Sequence, residues 1–191
     1  MKTRLFKTYR NGIPIYDYIQ LFTWPFVMPC KSTTQDIRDT YHCYVWRNGR
    51  CHKGIDFIGY AGSPIYSIGQ GTVIDLGYDW IYGNYIDMFY GNNSGYRILA
   101  RYAHLADISV KLNQKIKKGG KIGLMGTTGD SDSNHLHFEI KIVGINELTR
   151  KLLPFDYAKA VDPIPFLPQK EIQARYGNHW QNERLPNDLG L

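Results

Sequence analysis

The sequence predicts a mainly β protein built on an antiparallel sheet, and three observations carry that expectation. From Tyr41 onward, short apolar runs are separated by glycine-rich breaks, the pattern of strands joined by tight turns. The 19 glycines and 15 tyrosines among 191 residues favour turns and pleated surfaces. A hydrophobic fraction of 43% supplies apolar surface for one core, so the chain reads as one folded domain with short terminal extensions.

Residues 1–24 mix aromatic and charged side chains without a clean period and read as an N-terminal arm. The domain is expected over residues 25–168. Its first stretch, 24–29, is held extended by Pro25 and Pro29, and the polar run that follows lets Ser32 or Thr33 cap a short helical turn. Strands are expected at 51–57, 64–67, 71–76, 84–90, 96–105, 121–125 and 135–143. The breaks between them fall at 59–63, Gly69-Gln70, Gly77, Gly83-Asn84 and 91–95. Residues 105–114 read as a turn or a short helical piece, and 115–121, with four lysines, as a charged loop. Alternation stops after Val143. The proline-rich stretch 162–168 closes the domain as a rigid extended segment, and residues 169–191 form a polar C-terminal tail.

Charge and composition narrow the function classes. The net charge of +6 favours an anionic partner: nucleic acid, anionic lipid or an anionic polymer. Nucleic acid is disfavoured because no basic stripe with interleaved aromatics coincides with a recognised motif. No run of about eighteen apolar residues is present, so no membrane span is expected. The N terminus is basic, but Arg10, Asn11 and Asp17 interrupt any apolar run, and no secretion signal is expected. The three cysteines, Cys30, Cys43 and Cys51, are then read as reduced thiols.

Chemistry concentrates in three segments. In His135-Leu136-His137 two imidazoles spaced by one residue on an extended strand project from one face and reach one point in space. Such a pair offers a neutral nitrogen ligand for zinc and a second base beside it. His52-Lys53-Gly54-Ile55-Asp56 adds an imidazole and a carboxylate whose even spacing places them on one face of an extended segment. If His52, Asp56 and one histidine of the later pair meet, three ligands leave a fourth position open for water, the arrangement of a catalytic zinc site. His104, in Arg101-Tyr102-Ala103-His104-Leu105, follows an apolar strand, a position where packing is the commoner role.

Taken together and in this order, these segments resemble the lysostaphin/LytM-type zinc endopeptidases that cut peptidoglycan peptides. The resemblance runs from Cys51 to Ile140. It includes Gly62-Ser63-Pro64-Ile65-Tyr66-Ser67, Gly69-Gln70-Gly71-Thr72-Val73, Tyr82-Gly83-Asn84-Tyr85-Ile86 and Gly123-Leu124-Met125-Gly126-Thr127-Thr128-Gly129, besides the three histidine segments. It implies zinc ligands at His52, Asp56 and His137, two further active-site histidines at His104 and His135, and a metal site in a groove across the sheet. The general base falls to His135 or His104. The pattern departs at Tyr90, where the family frequently carries a histidine that is not a ligand, and the segment ahead of His52 is poorly matched.

The implied partner is bacterial peptidoglycan, with the basic charge aiding adsorption to anionic wall polymers. The expected absence of an export signal is consistent with a phage product, released by a holin or carried on a virion, and equally allows a non-classically exported bacterial enzyme. The alternative from another class is a non-catalytic wall-binding or scaffold module of the same fold. Other residues carry less. Cys51 and His52 are strand neighbours facing opposite ways and should not share a metal. Cys30 and Cys43 have a weak claim to a separate zinc, and His42 and His179 read as surface residues. Glu139 stands two residues beyond a ligand on a strand, the wrong geometry for the glutamate base of an H-E-x-x-H helix. Residues 123–129 read as a turn, not as a dinucleotide site.

Overall fold

In the computed structural model, the structure describes residues 9–10, 13–14, 26–30, 37–39, 52–91, 96–144, 159–168 and 171. The readings of Ser32, Thr33, His42, Cys43, Cys51 and His179, and nearly all of the terminal arm and tail, lie outside these residues. The strands are β1 (Tyr9–Arg10), β2 (Ile13–Pro14), β3 (Ile37–Asp39), β4 (Ile55–Ile58), β5 (Pro64–Tyr66) and β6 (Gly71–Asp79). They continue with β7 (Gly83–Gly91), β8 (Tyr96–Ile108), β9 (Lys115–Ile116), β10 (Lys121–Met125), β11 (His135–Gly144) and β12 (Lys159–Val161). The main sheet runs β3-β4-β11-β8-β7-β6-β9, β10 joins β5 to β8, and β12 edges β11. Every pairing among the described residues is antiparallel, so the expected fold class holds.

The period of two sorts the central strands into an apolar and a polar face. Ile55 and Phe57 of β4, Ile86, Met88 and Tyr90 of β7, Ile98, Ala100 and Tyr102 of β8, and Leu136, Phe138 and Ile140 of β11 are all fully buried in one core. The intervening residues Asp56, Asp87, Arg101, His135, His137, Glu139 and Lys141 face the other way and are also buried, which makes the polar face an interior surface and not a solvated one. Tyr90 fills the core, and its hydroxyl lies 2.7 Å from that of Tyr102 and 2.9 Å from Ser67 Oγ. A buried phenol needs such partners.

Four local expectations are corrected. The first strand begins at Ile55 rather than residue 51, because the chain bends at Gly54, where an added Cβ would overlap the Phe138 carbonyl. His52 therefore reaches Asp56 across a bend and not along one extended face. Strand β8 continues to Ile108 where a turn or helical piece was expected, since Gly123, Leu124 and Met125 pair with Ile108, Asp107 and Leu105. Within the expected charged loop, Lys115–Ile116 pairs with Gly71 and Thr72, and Ile116 enters the core. The stretch ending the domain is not extended throughout: Ile164–Phe166 form a 3-10 turn. The Asp162 carboxylate accepts the Ile164 N–H at 3.0 Å and starts that turn, and Ile164 and Leu167 are buried beneath it.

The β6–β7 hairpin tip is fastened over the loop between β10 and β11. Asp130 N donates to Ile81 O at 2.9 Å, and Asn84 N donates to Thr128 Oγ1 at 2.9 Å. Gly83 makes the closest approach: its φ of +61° is left-handed, and a Cβ there would overlap the Thr128 carbonyl. Gly83→Ala is therefore expected to destabilise the fold by at least about 2 kcal/mol in urea denaturation. An unchanged denaturation midpoint would contradict this packing.

Candidate active site

The site is assembled by strand register. β11 lies between β4 and β8, with His137 directly opposite Asp56 on one side and Ala103 on the other. Cross-strand partners stand about 5 Å apart at Cβ, so two short side chains on one face meet. His137 Nδ1 lies 2.8 Å from Asp56 Oδ1, and the bend at Gly54 brings His52 Nε2 to 3.2 Å from that oxygen and 3.1 Å from His137 Nδ1. Among the described residues, these three form the group able to hold a metal ion, with their ligand atoms within 4.8 Å of one another.

Ligand atoms about 2.0–2.1 Å from a tetrahedral zinc lie about 3.3 Å from each other. The observed separations of 2.8, 3.1 and 3.2 Å are close to that value, and two imidazole nitrogens with one carboxylate oxygen form a donor set zinc accepts. The residues fit.

His135 is two residues before His137 on the same face, its Nε2 3.8 Å from Asp56 Oδ1. His104 comes from the other side. Asn84 pairs with Leu105 and Ile86 with Tyr102, so Ala103 and His104 together oppose the single residue Tyr85. This is a β-bulge, which re-aims a side chain. His104 has φ of +61°, uncommon for a residue with a Cβ. It is secured by its own N–H donating to Tyr82 O at 2.8 Å. The bulge sets the His104 ring 4.6 Å from that of His135 and 5.8 Å from that of His137, centroid to centroid. All five residues singled out from the sequence thus lie in one cluster.

The ring tautomers follow from the hydrogen bonds. A carbonyl oxygen only accepts, so His104 Nδ1–H donates to Thr128 O at 2.8 Å and His135 Nδ1–H donates to Ser133 O at 2.8 Å. In the neutral form of each ring, Nε2 is then a bare acceptor. Burial pushes His104 down to about 4, keeping it neutral through the physiological range. Burial alone would raise the Asp56 carboxyl, but hydrogen bonds from His137 and His52 outweigh it and hold it well below the usual carboxylate range. Burial would lower His137, yet Asp56 and Glu139 on its two nitrogens raise it to about 9.

A layer of buried polar groups beside the cluster had not been assigned any role from the sequence. Glu139 is opposite Arg101, which is opposite Asp87. Arg101 grips Asp87 with Nε and a terminal nitrogen at 2.9 and 2.8 Å, and its guanidinium lies over the Tyr82 ring at 4.4 Å. Tyr82 OH donates to Glu139 Oε1 at 3.0 Å. The signal available was the alternation His135, His137, Glu139, Lys141, which places all four on one face. Tyr82 opens one of the segments that carry the resemblance, but its place in a turn gives no alternation that would aim it at Glu139.

Fold and site together define an antiparallel β domain with a two-histidine, one-aspartate cluster able to hold a metal ion, flanked by two further histidines. The chain belongs to peptidase family M23, whose model matches residues 50–152. It is 39% identical, over 49% of its length, to the peptidoglycan DD-endopeptidase ShyA of Vibrio cholerae. To lysostaphin of Staphylococcus simulans it is 34% identical over 63% of its length. These matches span 21% and 22% of the two relatives, so the chain corresponds to about a fifth of each. A solved zinc-containing peptidase from Vibrio cholerae superposes with a TM-score of 0.56 and 32% identity, covering 73% of this chain and 39% of that one. No helix of the described residues is long and apolar enough to cross a membrane.

Proposed function

We propose that this chain is a zinc-dependent endopeptidase that hydrolyses peptide bonds in the stems or cross-bridges of bacterial peptidoglycan, with residues 25–168 as its catalytic unit. The observation that carries the reading is the convergence of His52 Nε2, Asp56 Oδ1 and His137 Nδ1 beside the bare Nε2 atoms of two more histidines. Family membership and the activities named for its relatives support the same substrate class.

His52, Asp56 and His137 would hold the zinc. Bound there, it supplies Lewis acidity, polarising the scissile carbonyl and lowering the pKa of a water toward about 7. We assign His135 as general base, because its Nε2 is bare and lies nearest the ligand set, 3.8 Å from Asp56 Oδ1. Its Nδ1–H bond to Ser133 keeps the ring turned for that transfer, and the proton it takes is then available for the leaving amine. His104, held neutral beside it, accepts a hydrogen bond from the substrate or the attacking water and keeps the second side of the reacting centre polar.

The test uses purified walls of several cross-link types, incubated with metal-loaded and chelator-stripped protein, with released fragments read by mass spectrometry. Near one zinc per chain is expected, with new amino and carboxyl termini appearing only with the loaded protein. Metal-free protein that binds walls without releasing fragments would replace the enzyme reading with that of a binding module. Adsorption to the wall should weaken between low and high salt, because exposed charge is screened beyond about 10 Å at 0.1 M.

A further inference from the structure

Glu139 is fully buried, and its Oε2 makes no hydrogen bond among the described residues, lying 3.7 Å from Lys141 Nζ. Burying a carboxylate on those terms costs stability that an apolar side chain at the same place would not. The other oxygen shows what the group does. Glu139 Oε1 accepts the Tyr82 hydroxyl at 3.0 Å and lies 3.1 Å from His137 Nε2. An ionised carboxylate only accepts, so His137 Nε2 carries the proton of that contact. The form of His137 that can hold a cation is the neutral one, which has a single N–H; with that proton kept at Nε2, the bare atom is Nδ1, and Nδ1 faces Asp56 Oδ1 at 2.8 Å and His52 Nε2 at 3.1 Å.

We propose that Glu139 is the positioning residue of the metal centre: by accepting the Nε2–H of His137 it selects the tautomer and ring orientation that present Nδ1 to the cation. The inference rests on reading His52, Asp56 and His137 as a metal site. It goes further in assigning a role to a residue that touches neither the cation nor the substrate. Tyr82 holds the carboxylate from a second direction, and the register that sets Glu139 opposite Arg101 and Arg101 opposite Asp87 builds the support on three adjacent strands. A ligating imidazole tied through its far nitrogen to a carboxylate loses less freedom on binding metal and is more basic at the ligating atom.

The test is the zinc dissociation constant of the full chain, measured at one fixed pH by competition with a chromophoric chelator. Wild type, Glu139→Ala and Glu139→Gln are compared, with the thermal midpoint of each metal-free form as a folding control. Glu139→Ala is expected to weaken zinc binding by about 10–100-fold, and Glu139→Gln, whose amide oxygen accepts the same N–H, to stay within about 3-fold of wild type. Should the alanine variant not fold, Glu139→Leu fills similar volume without an acceptor and carries the same expectation. Wild-type affinity in the variant lacking an acceptor would overturn the proposal, and so would a glutamine variant as weak as alanine. A wild-type chain that binds no zinc would instead overturn the metal-site reading on which the proposal stands.

Discussion

Asp56→Ala is expected to lose zinc on dialysis and to lower fragment release from purified walls by about 10⁴-fold or more, within the range a single Lewis-acid centre supplies. Asp56 Oδ1 is the point on which the cluster closes, 2.8 Å from His137 Nδ1 and 3.2 Å from His52 Nε2. Without it two imidazoles remain, too few for tight retention of a cation in an open site. Metal content by elemental analysis and fragment yield by mass spectrometry are read on the same preparation, with circular dichroism confirming the fold. A variant that keeps stoichiometric zinc and wild-type turnover would remove Asp56 from the ligand set.

His135→Ala separates proton transfer from metal binding. It should keep near one zinc per chain while kcat falls by about 10²–10⁴-fold, the usual contribution of a positioned acid or base. Zinc loss in this variant would mean that His135 is a ligand and not a base. His104 offers a further check through linkage. Its imidazole is pushed by burial from 6.5 down to about 4 in the folded, metal-free chain, so the unfolded chain takes up this proton first as pH falls. The stability it contributes is therefore complete above about pH 6.5 and is lost as pH falls toward about 4. The loss of unfolding free energy between pH 7.5 and 4.5 should be smaller in metal-free His104→Gln than in wild type, by on the order of 2 kcal/mol. His137 has the opposite sign, raised to about 9, so its contribution is complete below about pH 6.5 and lost only as pH rises through about 9. An identical acid response in the two proteins would place His104 in a solvated environment.

Much of this was legible because strands write a period of two into the chain. Leu136, Phe138 and Ile140 against His135, His137 and Glu139 is one alternation read twice, once as core and once as site. The strands at 64–66, 121–125 and 135–144 stand within about a residue of the breaks that glycine and apolar run lengths imply. The misread stretches had local signals that a distant partner overrode. Lys115 and Ile116 are polar-flanked and loop-like until Gly71 and Thr72 offer their backbone groups, and the end of β8 is a strand only because β10 lies beside it. Asp162-Pro163 suits an extended or a helical start equally by proline's fixed φ, and burial of Ile164 and Leu167 decides for the turn.

By itself the sequence determined the residue types, the faces on which they fall and hence the membership of an antiparallel sheet carrying paired imidazoles, since side-chain direction along a strand is a local property. It could not determine which faces meet. The register that sets Asp56 against His137, the bend that returns His52, the bulge that turns His104 into the site and the packing that brings Tyr82 and Arg101 to Glu139 are consequences of contacts between segments remote in the chain. Their geometry exists only once the sheet has closed.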